Sequence, residues 1–214
     1  MSSMYEKIMQ LPLFHGISKE QVSSFLEKTT IEFINYEDGE QIIEEGNFVE
    51  SIVFVMSGHI RITHSLPHFN ISIEETAGEG RVLGAENLFG MSTRYPFSAN
   101  AEGKTSVMCF SKKQYISLLE TDPIYRLNFF NYLSIRAQKP LGILINNSKP
   151  DIYSRLKTIS ETLSSSYSKT LTIKADDNSI AEYCGVTPND VTTWKTLATS
   201  NGLIHSKDNT ITLL

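Results

Sequence analysis

The first half of the chain contains a series of short segments rich in β-branched and aromatic residues, most of them bounded by glycine, and this series constrains the fold more than any other feature. Short runs of this composition, separated by glycine turns, are typical of β-strands. No helical segment separates them, which favours an antiparallel sandwich or barrel over a parallel sheet with crossover helices. The predicted strands cover residues 31–36, 41–43, 51–56, 59–63, 71–73 and 106–110.

Two capping boxes mark the beginnings of helices on either side of these strands. Ser18 is followed by Gln21, and Ser111 by Gln114, at the spacing that lets a hydroxyl and an amide satisfy free backbone N–H groups. A longer helical pattern extends from Ile124 to Asn147. Its apolar positions recur at spacings of three and four, which suits either packing on its own domain or a helix–helix dimer seam. The predicted seam consists of Phe130, Leu133, Ala137, Leu141 and Leu144.

The most informative part of the chain for function is a pair of predicted helices near its C-terminal end. A short helix over Asn178–Cys184 is followed by Gly185, which can take the left-handed conformation that ends a helix, and Thr187 is a good N-cap for the next one. A helix, a tight glycine turn and a second helix form the helix-turn-helix pattern. A plain helical corner would give the same pattern. A predicted strand at residues 171–174 and a predicted hairpin wing over residues 203–213 favour DNA binding.

Charge alone does not support DNA binding. The formal net charge is −5, and residues 1–147 hold 12 basic against 17 acidic residues, whereas residues 148–214 hold 7 of each. Proteins that read DNA usually carry an excess of basic residues, and the C-terminal part has no such excess. The chain begins without an export signal and has no apolar run long enough to span a membrane, so we expect it in the cytoplasm.

Taken together, these motifs have a recognisable order. The segments concerned are Leu11–Phe14, Gly39–Ile42, Glu45–Gly46, Val55–Ile60, Gly80–Gly84, Arg155–Leu156, Gly185 and Gly202–Ile204. Each segment is a weak signal by itself, but their order and spacing across essentially the whole chain are specific. The sequence resembles the cyclic-AMP receptor protein / FNR family of bacterial transcription regulators.

This resemblance implies an α+β fold in three parts. A jelly-roll sensor domain of the cyclic nucleotide-binding type is expected in residues 1–122, a long dimerisation helix in residues 123–147, and a winged helix-turn-helix domain in residues 148–214. It also implies four partners: double-stranded DNA, a second copy of the chain, RNA polymerase and a small-molecule effector. No membrane partner is implied.

The expected effector pocket departs from the family at both positions that contact a cyclic nucleotide. Ala85 stands where the family places a ribose-binding glutamate, and Glu86 comes one residue late, which in an extended segment would turn its side chain to the opposite face. Phe97 stands where an arginine pairs with the cyclic phosphate, and Arg94 is three residues away. We therefore expect poor binding of cyclic AMP, and either a less charged ligand or an empty pocket. The predicted lining is Leu83, Gly84, Ala85, Glu86, Phe97, Ser98, Ala99 and Leu141.

Other sensor chemistries have little support in the sequence. Iron–sulfur sensing needs about four cysteines, and the two present, Cys109 and Cys184, are expected to be buried. The histidines His59, His64 and His68 fall on or near one predicted hairpin, where exposure to solvent is expected rather than metal or haem ligation. We expect no metal, no cofactor and no catalytic residue.

The expected DNA-reading helix also departs from the family. The positions that carry Arg, Glu and Arg in readers of the best-known operator are Pro188, Asn189 and Thr193 here, so no arginine is available to contact guanine. Asparagine prefers adenine and threonine can pack on the thymine methyl group, which favours a half-site containing A·T pairs. Lys195 and Ser200 are expected nearer phosphates. The predicted DNA-binding residues are Thr187, Asn189, Asp190, Thr192, Thr193 and Lys195.

Two functions of different classes fit these observations. The first is a dimeric, sequence-specific transcription regulator that is controlled by an unidentified effector. The alternative is an effector-binding or protein-interaction module that has lost specific DNA binding. An enzyme is disfavoured, because the sequence has no phosphate-binding glycine loop with lysine, no zinc-protease helix and no nucleophile elbow.

Overall fold

The computed structural model describes residues 4–146, 150–164 and 170–214. The predicted end of the dimerisation helix at residue 147 lies outside them. Two compact units are present, the first formed by residues 1–60 and 78–138 and the second by residues 61–77 and 139–214. Among the described residues, no helix has the length and apolar character needed to cross a bilayer.

Helices and antiparallel strands make up the described residues, as expected for an α+β fold. The helices are α1 Met4–Gln10, α2 Lys19–Lys28, α3 Lys112–Thr121, α4 Pro123–Asn146, α5 Ile152–Leu163, α6 Asp177–Cys184 and α7 Pro188–Ser200. The strands are β1 Glu32–Tyr36, β2 Gln41–Ile43, β3 Ser51–Leu66, β4 Ile71–Gly78, β5 Val82–Leu83, β6 Ser98–Ser111, β7 Leu171–Lys174, β8 Ile204–Lys207 and β9 Thr210–Leu213. Single 3₁₀ turns occur at Pro12–Phe14, Pro67–Phe69 and Ala85–Asn87.

Strand β3 is longer than the sequence pattern predicted. Two separate strands were expected on either side of Gly58, but the structure has one continuous strand from Ser51 to Leu66. Gly58 lies within it at φ +83°, and a Cβ at this position would come within 2.3 Å of the carbonyl oxygen of Lys104. The glycine therefore permits a close approach of the neighbouring strand β6 inside a strand rather than ending one.

An aromatic cluster fills the core of the first unit. Phe14, from the 3₁₀ turn before α2, lies 5.6–6.3 Å by ring centroid from the rings of Phe25, Phe54 and Phe110. Tyr125 of α4 makes a similar edge contact with Phe14 at 6.0 Å. The strands of this unit pair in the order β1–β6–β3, with β2 on β6 and β5 on β3. Helix α2, which precedes the strands in the chain, and helix α4, which follows them, thus pack on the same buried ring of Phe14.

The second unit combines the C-terminal helices with the far end of the β3–β4 hairpin. Its strands are ordered β4–β7–β9–β8, all antiparallel. Ile71 and Ile73 of β4 are buried in one apolar cluster with side chains of three helices. These are Leu156 of α5, Ile180 of α6 and Val191 of α7. Residues 61–77 thus pack with the C-terminal helices, a grouping that chain order did not suggest. The three functional domains expected at 1–122, 123–147 and 148–214 stay a prediction.

Candidate effector pocket and helix-turn-helix

The turn that would carry the ribose-binding group begins at Gly84. This glycine has φ +87°, and residues Ala85–Asn87 form a 3₁₀ turn rather than the extended segment assumed from the sequence. Side chains in such a turn diverge by roughly 120° per residue. Ala85 is buried, with 1% of its surface exposed, whereas the Glu86 side chain is 24% exposed. Glu86 therefore points in a different direction from Ala85, as expected, but because the segment is a 3₁₀ turn and not because it is an extended strand.

The position expected to hold a phosphate arginine is filled by a buried aromatic ring. Phe97 is 7% exposed, and its ring packs edge-on against Tyr95 at 5.9 Å. Ala99 and Leu83 are also buried, and Ser98 is half-buried. Tyr95 donates its hydroxyl to the carbonyl oxygen of Ser51, and burial raises its pKa to about 12. These groups present an apolar wall that offers no charge to a phosphate.

Arg94 does not replace the missing arginine. Its side chain is exposed, and its Nη1 donates to the carbonyl oxygen of Gly46 at 2.6 Å. The guanidinium lies over the ring of Phe48, 3.7 Å from the centroid. Both contacts hold Arg94 at the loop around residue 47, so its guanidinium does not take the place of the missing arginine at Phe97.

Glu86 contacts the long helix instead. Its Oε1 accepts a hydrogen bond from the Tyr132 hydroxyl at 2.9 Å and lies 2.7 Å from Nε of Arg136. Tyr132 is half-buried, and desolvation together with the Glu86 carboxylate raises its pKa well above the ordinary value. The nearby guanidinium of Arg81, itself 7% exposed, opposes that shift.

The sequence analysis missed these partners on α4. Four side chains of this helix, Tyr125, Phe129, Tyr132 and Arg136, recur at spacings of four, three and four, so they share one face. Tyr125 and Phe129 are buried in the first unit. The helical spacing of this second stripe is present in the sequence, but only the apolar stripe beside it was assigned a function.

The stripe expected to form a dimer seam is exposed. Phe130 is 60% exposed, Leu141 62% and Leu144 59%, and Ala137 is also exposed, while Leu133 is half-buried. Leu141 and Leu144 lie in the part of α4 that belongs to the second unit. Large apolar side chains at helical spacing form an apolar patch of the kind that marks an interaction surface. The placement of Leu141 beside the effector pocket stays a prediction.

The helix pair in the second unit has the local geometry that its sequence predicts. Helix α6 ends at Gly185, which has φ +65° and whose N–H donates to the carbonyl oxygens of Ala181 and Glu182. Helix α7 begins with a complete capping box: Asp190 N donates to the Thr187 hydroxyl, and the Asp190 carboxylate accepts from Thr187 N at 2.9 Å. The side chains of Thr187 and Asp190 are therefore engaged in the cap.

Helix α7 presents one polar, solvent-exposed face. Val191 and Ala198 are buried against the rest of the unit, and Trp194 is partly buried on the same core. Roughly opposite them, at spacings of four, three and four, lie four exposed polar residues. These are Asn189, Thr193, Thr196 and Ser200. The sequence analysis did not single out Thr196, which the helical spacing from Asn189 and Thr193 would have found.

Two further predicted DNA-binding residues are bonded to helix α6. Thr192 donates its hydroxyl to Oδ2 of Asp177 at 3.0 Å, and Lys195 pairs with the other oxygen of the same carboxylate. The Lys195 side chain is only 13% exposed. Asp177 belongs to α6, so these contacts join the two helices. The expectation that Lys195 lies ready for a phosphate is corrected: its ammonium group is bonded to Asp177.

Among the histidines and cysteines, one expectation is wrong. His59 and His68 are exposed as expected, but His64 is 6% exposed and its Nε2 lies 3.6 Å from Oε1 of buried Glu75. Cys109 and Cys184 are buried and reduced, as expected, and burial raises the pKa of Cys184 to about 11. The residues that the structure describes include no group of three or more potential metal-ligating His, Cys, Asp and Glu side chains.

Comparison with known proteins supports the fold. Residues 33–122 match the family described as the cyclic nucleotide-binding domain. A catabolite activator protein from Thermus thermophilus aligns with 95% of this chain and 93% of its own at 19% identity, with a TM-score of 0.54. The c-di-GMP-responsive global regulator CLP of Xanthomonas campestris aligns over 92% and 99% at 15% identity, with a TM-score of 0.55.

A third solved structure, DNR from Pseudomonas aeruginosa, covers all of this chain and 96% of its own at 18% identity, with a TM-score of 0.50. No functionally curated protein is similar enough in sequence to match the chain. At identities below 20%, these likenesses establish the fold. The resemblance seen in the sequence is thereby confirmed at the level of the fold: residues 33–122 match the cyclic nucleotide-binding domain family, and the chain shares the fold of these three solved proteins.

Proposed function

We propose that this protein is a dimeric, sequence-specific DNA-binding transcription regulator that acts in the cytoplasm and has no enzymatic activity. The observation that carries the proposal is helix α7, which is capped, packed on one side and exposed on the other through a stripe of hydrogen-bonding side chains. It follows α6 after a left-handed glycine turn and precedes the β8–β9 hairpin. This is the arrangement of a winged helix-turn-helix, whose second helix enters the major groove.

Base contacts are assigned to the exposed stripe of α7. Asn189 can pair with adenine through its amide, and Thr193 and Thr196 can pack their methyl groups on thymine. Thr187, Asp190 and Thr192 lie beside this stripe, and Lys207 of the wing strand is exposed near the end of the hairpin. We expect a palindromic operator whose half-sites contain A·T pairs.

The exposed apolar stripe of α4 is assigned to the dimer seam. A two-fold pair through Phe130, Leu133, Ala137, Leu141 and Leu144 would present two α7 helices about 34 Å apart, one turn of DNA. Two of the similar solved proteins bear the names of regulators, a catabolite activator and a c-di-GMP-responsive global regulator. A small-molecule effector and contact with RNA polymerase are proposed here on the same likeness.

For the effector, the pocket walls argue against a cyclic nucleotide. Ala85 offers no carboxylate to a ribose, and Phe97 offers no donor to a cyclic phosphate. An uncharged or apolar ligand suits the buried surface formed by Leu83, Phe97 and Ala99. The alternative within this proposal is a pocket that stays empty in a dimer that is always competent to bind DNA.

Selection of binding sites from random duplex DNA tests the proposal directly. Recovery of a two-fold symmetric site with half-sites about one helical turn apart would support it. Failure to enrich any palindrome, with or without cell extract as a source of effector, would count against it. The cell extract is included because a regulator that binds DNA only with its effector would otherwise give a false negative result.

One observation favours a second function, an effector-binding or protein-interaction module without specific DNA binding. Within residues 188–200, which the structure describes in full, the single cation is Lys195, and Asp177 binds it. Retention on heparin or on random duplex DNA at low salt, released as the salt concentration rises, would favour the reader. A protein that does not bind either matrix at low salt would favour the module.

A further inference from the structure

Helix α4 carries the groups of an anion site on the face that packs in the first unit. Tyr132 and Arg136 are one helical turn apart, so a phenol O–H and a guanidinium N–H point to the same place. An oxygen that accepts from both donors forms two charge-assisted hydrogen bonds. Phosphate, carboxylate and sulfate groups all meet that requirement.

Glu86 already fills this site. Its Oε1 is the atom that both donors share, at 2.9 Å from the Tyr132 hydroxyl and 2.7 Å from Nε of Arg136. The Glu86 and Arg136 side chains are 24% and 23% exposed, so water screens the pair only in part. Tyr132 keeps its proton, because burial and the Glu86 carboxylate both raise its pKa.

The turn that carries Glu86 also has little freedom to move. Gly84, at its start, has φ +87°, and a Cβ there would lie 3.0–3.2 Å from Val49, Tyr95 and the carbonyl oxygen of Ser51. Ala85 is buried beneath the turn. A carboxylate on a packed turn thus holds the helix through one hydrogen bond, from Tyr132, and one ion pair, with Arg136, while the apolar stripe of α4 lies on another side of the same helix.

We propose that Glu86 is a built-in ligand of α4: its carboxylate takes the role of an anionic effector and fixes the helix that carries the dimer stripe. An external anion could bind Tyr132 and Arg136 only by displacing Glu86. The regulator therefore needs no anionic effector to order this helix. The consequence for dimerisation rests on the proposed function, whereas the ordering of α4 within one protomer does not.

Removing the carboxylate and supplying one from solution tests the proposal in the full-length protein. Glu86→Ala should raise hydrogen-exchange rates of amides in residues 126–138, and the dimer dissociation constant, by about 10- to 100-fold, the effect of losing charge-assisted hydrogen bonds. Propionate at about 50 mM should reverse much of both changes, whereas an equal ionic strength of chloride should not. Glu86→Gln, which keeps the side-chain volume, serves if the alanine variant does not fold.

Glu44→Ala is the matched control, because Glu44 is an exposed carboxylate of the same unit that bonds Asn47 rather than α4. It should change neither readout. Unchanged exchange in Glu86→Ala, or a loss that propionate does not reverse, would overturn the proposal. If the wild-type protein is a monomer, the proposed dimer is refuted, but the hydrogen-exchange measurement still tests the role of Glu86. Failure of the proposed function and failure of the Glu86 proposal are therefore distinguishable.

Discussion

Each of the two units has a charged group, close to a predicted ligand-binding position, that pairs with another side chain of the protein. In the first unit, Glu86 is held by Tyr132 and Arg136 of α4. In the second, Lys195 of α7 is held by Asp177 of α6. Each charge stands where an external partner was expected, the first near an effector and the second near a DNA phosphate. Because Glu86 and Lys195 are both paired inside the protein, an effector or a DNA site must bind through apolar or neutral polar contacts, or must displace one of the paired side chains.

The two pairs differ in what surrounds them. Glu86 follows the buried Ala85 and contacts Tyr132 and Arg136 of α4, while the position expected to carry the phosphate arginine holds the buried ring of Phe97. Lys195 lies beside an exposed stripe of amide and hydroxyl groups that can still bind bases. Under the proposed function, the first unit lacks the charged groups that a cyclic nucleotide would need, whereas the second offers DNA hydrogen-bonding groups without an unpaired cation on α7.

The largest expected effect concerns the proposed dimer. Phe130→Asp would place a charge in the apolar stripe, where Phe130 is 60% exposed in the single chain. An unpaired charge buried in an interface costs roughly 3–5 kcal/mol, or about a hundred- to several-thousand-fold in the dissociation constant. Sedimentation equilibrium should show monomers at micromolar concentration.

Ile135→Asp provides the matched control for that variant. Ile135 is also 60% exposed on α4, but it lies roughly 140° around the helix from Phe130. It should leave the dimer intact. Equal effects of the two substitutions, or a wild-type protein that sediments as a monomer, would contradict the assignment of the seam.

The second prediction tests the loss of nucleotide chemistry in the first unit. Losing the phosphate arginine costs roughly 2–5 kcal/mol, or about 30- to several-thousand-fold in affinity. Isothermal titration calorimetry should therefore detect no specific binding of cyclic AMP or cyclic GMP below about 100 μM, taking micromolar binding as the starting point. A saturable isotherm in the low-micromolar range would mean that another cation, Arg81 being the nearest buried one, serves the phosphate.

Sequence predicted what is set by residues close together in the chain. The capping boxes at Ser18 and Ser111 and the N-cap at Thr187 need only a partner three residues away, and each is present. The left-handed turn at Gly185 is similarly local.

What sequence did not predict depends on distant contacts. Glu86 meets partners 46 and 50 positions further along the chain. The grouping of residues 61–77 with the C-terminal helices depends on β4 pairing with β7, as in Ser72 opposite Lys174. Side chains at such separations compete with many possible partners, and no local spacing identifies the one that is used.

The third prediction tests whether neutral polar contacts suffice for reading in the second unit. Asn189→Ala should cost about 1–3 kcal/mol on the selected operator, or roughly 5- to 150-fold, because the amide can pair with adenine. It should leave affinity for random DNA nearly unchanged. Asn178→Ala, an exposed asparagine on α6, is the matched control. A fluorescence-anisotropy titration that found the two variants alike would remove Asn189 from the base-reading stripe.

The smallest expected effect concerns the pair that holds Lys195. Lys195 and Thr192 hold the pKa of Asp177 below its ordinary value of 3.8, so this group stabilises the fold fully above that value, and the contribution is lost as pH falls below it. Because Asp177 is partly exposed, Asp177→Asn should cost a fraction of the roughly 0.2–1 kcal/mol of an exposed pair in urea unfolding at pH 7, and the cost should shrink as the pH falls below 3.8. The variant should also release Lys195 toward DNA phosphates, raising the slope of log affinity against log salt by about 0.9. An unchanged slope would show that Lys195 does not reach the DNA backbone even without its Asp177 partner.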